Sequence, residues 1–178
     1  TNAKINPATL TVTADDKSKT YGDANPTLTY TITGYKNSEN ATSAGITGAP
    51  SLSTTALTGS SVGSYTITSA ANNLAANNYQ FTYVDGTLTV GQRALTITAS
   101  NQATTYGTAL TLGTSSFTTS GLTNSDAVSS VTLQQGGNTT VPATQGAGTY
   151  SSATSNGIVA SSASGTGLSN YSITYVDG

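Results

Sequence analysis

Cysteine, histidine, methionine and tryptophan are all missing from this chain of 178 residues, and charge is scarce, with five Lys and Arg against seven Asp and Glu. Without cysteine there is no disulfide framework, which suits an exported bacterial protein better than a small eukaryotic secreted domain. Without His and Cys there is no Ser-His-Asp triad, no Cys-His nucleophile pair and no ordinary zinc site. Five cations cannot neutralise a run of phosphates, and a net charge of −2 points the same way, so nucleic acid is excluded as a partner. No stretch approaches the roughly 18 apolar residues of a membrane span, which excludes membrane insertion. No leader-like segment opens the chain, so it reads as an interior piece of something longer. Low charge is not the disorder signature, which couples low hydrophobicity to high net charge, and regularly spaced Tyr, Ile, Leu and Val argue for folding.

What is present is present twice. Leu10-Thr11-Val12-Thr13-Ala14 returns 85 positions on as Leu95-Thr96-Ile97-Thr98-Ala99, Thr20-Tyr21-Gly22 as Thr105-Tyr106-Gly107, and Gly63-Ser64-Tyr65 as Gly148-Thr149-Tyr150. Asn78-Tyr79 through Tyr83-Val84-Asp85-Gly86 returns 92 positions on as Asn170-Tyr171 through Tyr175-Val176-Asp177-Gly178, so the second repeat carries extra residues after Tyr150. A period this long is a small domain rather than one turn of a solenoid, whose units run about 20 to 50 residues. The boundaries follow: residues 1–7 as the remnant of a preceding repeat's last strand, 8–91 as the first repeat and 92–178 as the second. The three-residue connection Gly91-Gln92-Arg93 predicts an elongated, end-to-end pair with restricted bending.

Alternation at period two dominates, predicting an all-β chain of half-buried strands with threonine on the outer faces. Leu10, Val12 and Ala14 share a face, as do Leu28, Tyr30 and Ile32, Tyr65 and Ile67, and Tyr79, Phe81 and Tyr83. A small Ig-like β-sandwich suits such short, punctuated strands, with a β-grasp-like sheet as the alternative. Residues 38–44 carry at most one helical turn. Between Tyr83 and Leu88 the alternation slips by one residue. A type I′ hairpin at Asp85-Gly86 would restore it by placing Tyr83 opposite Leu88, and a β-bulge would also do so. The second repeat stops at Gly178, without a counterpart of Thr87 to Val90, which on the hairpin reading leaves an open edge at Tyr171 to Tyr175. That edge is a candidate for strand pairing with a neighbouring chain's N-terminal segment.

Leu-Thr-Val-Thr-Ala (10–14), Lys-Thr-Tyr-Gly-Asp-Ala-Asn-Pro (19–26) and Asn-Tyr-x-x-Thr-Tyr-Val-Asp-Gly-Thr-Leu-Thr-Val (78–90) together resemble the bacterial MBG repeats of YGX type. Repeat 2 keeps Tyr106-Gly107 and Tyr175-Val176-Asp177-Gly178 but has Thr108-Ala109-Leu110 in place of Asp23 to Pro26, and inserts a Ser/Gly/Ala-rich stretch around residues 151–167. The resemblance implies an extracellular or cell-surface location in a large, filamentous-haemagglutinin-like adhesin. It implies non-catalytic stalk repeats whose partners are neighbouring repeats, and it carries no catalytic residue across.

The remaining chemistry is thin. Seven acids would formally allow a two-carboxylate glycosidase, but adjacent Asp15 and Asp16 point apart on a strand and Asp85 and Asp177 read as turn residues. Gly146-Ala147-Gly148 and Gly165-Thr166-Gly167 lack the third glycine and the strand-helix setting of a dinucleotide site. No catalytic or cofactor-binding residue emerges. Calcium, with hard oxygen ligands, is the most plausible ion, and Asp85 is the candidate ligand, against the simpler reading of a solvated turn carboxylate. Eight of the ten tyrosines occupy matched positions (21 with 106, 65 with 150, 79 with 171, 83 with 175), as core residues would. Tyr30 and Tyr35 have no aromatic counterpart and are the candidates for a surface that binds host glycan or glycoprotein. The glycosylation sequons at Asn40, Asn138 and Asn170 carry little weight in a bacterial protein.

Overall fold

A computed structural model describes residues 3–151 and 157–178. The chain divides into two compact units, Thr1–Gly91 and Gln92–Gly178. Seven strands build the first: β1 (Ala8–Ala14), β2 (Lys17–Thr20), β3 (Tyr30–Thr33), β4 (Ser51–Thr54), β5 (Gly63–Ala70), β6 (Tyr79–Val84) and β7 (Gly86–Gly91). They form two sheets, ordered β3-β1-β6 and β2-β7-β5-β4. Alternating Leu, Val and Ile point between the sheets: Leu10, Val12, Ile67, Leu88 and Val90 are essentially inaccessible, while Thr87 and Thr89 between them are exposed. Ala14 from the first sheet meets Ile67 and Leu88 from the second, with Leu28, Leu52 and Tyr65 packed around them.

Two facing sheets make a sandwich, and among the described residues no α-helix crosses a sheet as a β-grasp would need. The Ig-like expectation is modified in one respect, because each sheet contains a parallel pair. β1 runs parallel to β6 from Ala8 opposite Tyr79 to Thr13 opposite Val84, and β2 runs parallel to β7 from Lys17 opposite Leu88 to Thr20 opposite Gly91. Both pairs keep one register. The segments 8–20 and 79–91 are therefore two ribbons lying side by side, each passing from the first sheet into the second, one at Asp15-Asp16 and the other at Asp85.

This geometry overturns the hairpin. β6 and β7 do not pair with each other; β7 lies between β2 and β5 in the other sheet. The slip in alternation is real, but the change of sheet produces it: each segment turns its apolar side to the common core from the opposite layer. Neither Asp85 nor Gly86 has positive φ. Glycine is required for space instead, since a Cβ on Gly86 would stand 2.4 Å from the Ala14 carbonyl oxygen. Gly178 makes the same approach in the second unit, 2.6 Å from the Ala99 carbonyl oxygen.

The second unit contains β8 (Arg93–Ala99), β9 (Leu110–Thr111), β10 (Phe117–Ser120), β11 (Ala127–Gln135), β12 (Thr140–Val141), β13 (Ile158–Thr166) and β14 (Tyr171–Val176). β10-β8-β14 repeats β3-β1-β6, including the parallel β8–β14 pair. β11 and β13 pair antiparallel with Leu133 opposite Ala160, as Leu52 stands opposite Ser69 in the first unit. The core gathers Leu95, Ile97, Leu112, Val131, Leu133 and Tyr171. Residues 3–7 form no strand, and Ile5 is 94% exposed. Over 38–44 the chain makes turns, with the Ala44 N–H donating to the Asn40 carbonyl.

β14 lies at the edge of its sheet, as does its equivalent β6; β7 pairs with β2 and β5 and not with β6, so the expected link between the edge at Tyr171 to Tyr175 and a counterpart of Thr87 to Val90 does not hold.

Two substitutions test these contacts. Gly86→Ala drives a methyl group into the Ala14 carbonyl and is expected to destabilise the first unit by about 2 kcal/mol in urea denaturation. Ser69 is 6% exposed and its hydroxyl has no hydrogen-bond partner, while the equivalent residue of the second unit is Ala160. Ser69→Ala is therefore expected to stabilise the first unit by about 1 kcal/mol in the same assay.

Candidate functional site

Each unit carries one matched polar centre, built on the first residue of β6 or β14. The Tyr79 hydroxyl donates to Glu39 Oε2 at 2.5 Å and accepts the Lys36 N–H at 2.9 Å. The Tyr171 hydroxyl donates to Asp126 Oδ2 at 2.8 Å and accepts the Thr123 N–H at 3.0 Å. Both loops follow the second strand of their unit's first sheet and share a pattern: Gly34-Tyr35-Lys36-Asn37-Ser38-Glu39 against Gly121-Leu122-Thr123-Asn124-Ser125-Asp126. In each the Asn-Ser pair takes positive φ, 54° and 58° in the first and 54° and 62° in the second. Asn tolerates this left-handed turn, and the carboxylate that follows it is carried back onto the tyrosine. The reading of the sequence missed this pair because the two loops lie 87 positions apart, outside both displacements that mark the repeat.

The ligand candidates Tyr30 and Tyr35 lie near each other. Tyr30 lies on the face of β3 that also carries Ile32, opposite Ala14 on the core side. Tyr35 packs edge-on against Tyr79, ring centres 6.3 Å apart at 76°, and burial, with Tyr30 nearby, pushes its hydroxyl above the usual tyrosine range. Beside the Tyr79 loop is a cavity of about 500 Å³, lined among others by Pro7, Lys36, Glu39, Asn77, Asn78 and Tyr79; neither Tyr30 nor Tyr35 borders it. Of the eight matched tyrosines, Tyr21, Tyr79 and Tyr171 are buried and Tyr65, Tyr83, Tyr150 and Tyr175 half-buried, whereas Tyr106 is 69% exposed. Tyr65 and Tyr150 also make the same local bond, each hydroxyl donating to the carbonyl four residues earlier.

Asp85 is a connector. Its Oδ1 accepts the Ser69 N–H at 2.8 Å, Asp16 Oδ1 accepts the Thr87 N–H at 2.7 Å, and Asp15 accepts the hydroxyls of Thr29 and Thr31 at 2.5 and 2.8 Å. The three carboxylates bind separate partners around the two sheet crossings. Among the described residues no group of three or more Asp, Glu, His or Cys could hold a metal ion. No described helix is long and apolar enough to cross a membrane.

Two units that share one sheet order, β3-β1-β6 in the first and β10-β8-β14 in the second, and that each fasten a loop through a tyrosine hydroxyl, define a tandem β-repeat protein. The model of the MBG domain (YGX type) matches residues 10–89 and again residues 95–178, and the chain belongs to that family. This is a family of structural repeats and not a known enzyme family. No match is found among curated proteins or solved structures.

Two titrations bracket the stability of the first unit. The Thr29 hydroxyl, then that of Thr31, holds the Asp15 carboxyl below its ordinary value. A depressed folded value gives stability that is complete above about pH 4 and lost as pH falls through the folded value. The Glu39 carboxylate pushes Tyr79 up, so its contribution is complete below about pH 10 and lost as pH rises through the raised value. Thermal unfolding of the first unit against pH should fall off at both ends, with Asp15→Asn flattening the acid limb and Tyr79→Phe the alkaline limb.

Proposed function

We propose that these repeats are non-catalytic stalk elements of a bacterial extracellular adhesin, spacing a distal binding region from the cell surface. The observation that carries this reading is how the polar and aromatic groups are used. The Tyr79 and Tyr171 hydroxyls fasten loops, Asp15, Asp16 and Asp85 bind the backbone and hydroxyls of neighbouring strands, and seven of the eight matched tyrosines are buried or half-buried. A binding surface would converge such groups on one groove. Threonine-rich outer faces with few charges suit a segment that must stay inert towards its surroundings.

The second reading, a module for host glycan or glycoprotein, rests on the cavity beside the Tyr79 loop, where Asn77, Asn78, Lys36 and Glu39 supply hydrogen-bonding groups. A glycan and glycoprotein panel separates the two. The stalk reading expects no saturable binding by the two-unit chain. Saturable binding that is lost in Asn77→Ala or Lys36→Ala, with the folded spectrum intact, would replace it with the binding module.

A further inference from the structure

Two open sheets leave edges, and the first unit does not treat its edges alike. β2, β3 and β4 are edge strands of four residues each, and β2 carries Lys17 and Lys19. Shortness and lysine are ordinary means of keeping an edge from adding further strands. β6, the remaining edge, has neither. It runs six residues, Tyr-Gln-Phe-Thr-Tyr-Val, with no charge, proline or glycine, and its ladder with β1 holds one register throughout. Aromatic and β-branched residues at all but one position give it a high preference for extended structure.

The ladder decides which backbone groups are left over. The Ala8 N–H donates to the Asn78 carbonyl, so in the parallel pairing that follows the even-numbered residues of β6 turn their N–H and C=O towards β1. Tyr79, Phe81 and Tyr83 turn theirs the other way, and among the described residues no backbone hydrogen bond is made to them there. Phe81 and Tyr83 are half-buried on the core side of this row, while Gln80, Thr82 and Val84 are exposed on its outer side, Val84 at 45%. The matched edge of the second unit is partly taken: the Gln92 side-chain amide donates to the carbonyls of Ser169 and Tyr171, at 3.3 and 3.2 Å. In the first unit the position of Gln92, displaced by 85, is held by Pro7, which has no amide side chain to offer.

The pattern of β6 indicates what fits beside it. Aromatic residues at 79, 81 and 83 read the same from either end. Antiparallel pairing with another β6 about a two-fold axis at Phe81 sets Phe81 opposite Phe81, Tyr79 opposite Tyr83 and Gln80 opposite Thr82. The residues whose backbone groups are unused then face one another, and each such pair exchanges both of its hydrogen bonds. Aromatic side chains meet across the strands on one face, and no charge on the strand opposes its own copy.

We propose that β6 of the first unit is an interface between two copies of this chain, joining their β3-β1-β6 sheets edge to edge through antiparallel β6 strands. The contact is isologous, with the same residues on both sides, so it closes at a dimer. A single pair of edge strands buries little area, and the dimer therefore forms at high local concentration, as between chains tethered side by side.

Sedimentation velocity of the two-unit chain from low micromolar to millimolar concentration tests this, and a reversible monomer–dimer equilibrium is expected. Two charged variants locate the contact: Gln80→Glu with Thr82→Glu, and Gln80→Lys with Thr82→Lys. Both positions are exposed, so the circular dichroism spectrum should be unchanged. Each variant alone should dimerise about tenfold or more weakly, because like charges face each other across the axis, and an equimolar mixture of the two should recover the dimer. Hydrogen exchange reads the register: on dimerisation the Phe81 and Tyr83 amides should slow, while that of Thr82, already turned to β1, should not. A chain that stays monomeric throughout overturns the proposal. Association that the charged variants leave unchanged also overturns it, placing the contact on another surface. So does a mixture that stays monomeric when neither variant associates alone, since β6 would then meet a different element of the second copy.

Discussion

The constraint on which the first unit depends is the unbroken register between segments 8–20 and 79–91 as both leave one sheet and enter the other. The crossing brings the Ala14 carbonyl against the backbone of Gly86, a distance only glycine allows. Around it, Asp16 binds the Thr87 N–H and Asp85 the Ser69 N–H, so backbone donors at the crossing have acceptors at a point where a sheet ladder would otherwise lapse. Leu88 and Val90 then follow at alternate positions into a core that Leu10 and Val12 have already entered from the other layer.

The second unit shows how much of this is pairing and how little is intrinsic preference. It shares the crossing glycine, the parallel β8–β14 pair and the tyrosine-fastened loop. Yet residues 102–105, Gln-Ala-Thr-Thr, form no strand, where Lys-Ser-Lys-Thr at 17–20 does. Neither segment has a strong leaning towards extended structure. The difference is that Lys17 to Thr20 have β7 to pair with, in keeping with strand propensity being chiefly a property of neighbours.

Much of the core was legible in the sequence because burial follows period two: Leu10, Val12 and Ala14, and Leu95, Ile97 and Ala99, are all inside. The change of sheet at Asp85 was not, since a slip of one residue looks alike whether a hairpin, a bulge or a crossing causes it, and Asp-Gly is the favoured hairpin pair. Tyr106 carries the same motif as Tyr21, and no local pattern reveals that one is exposed and the other buried. The loops fastened by Tyr79 and Tyr171 escaped notice because their carboxylates, Glu39 and Asp126, differ and their spacing departs from both displacements. Asp85 was legible as a singular residue but not as a connector, because its partner Ser69 is distant in sequence.

Parallel pairing of β1 with β6 and β2 with β7 also decides how the first unit meets a mechanical load. The chain enters at the start of β1 and leaves at the end of β7, at opposite ends of two side-by-side ribbons that run in the same direction. Tension applied through the backbone pulls these ribbons past each other along their length. Their ladders are then loaded in shear, with hydrogen bonds from Ala8 to Thr20 sharing the force, rather than being peeled open one at a time from an end. Strands joined by a hairpin at Asp85-Gly86 would have unzipped. A sheet crossing in place of that turn makes resistance to extension a property of the topology, and it needs no disulfide to do so.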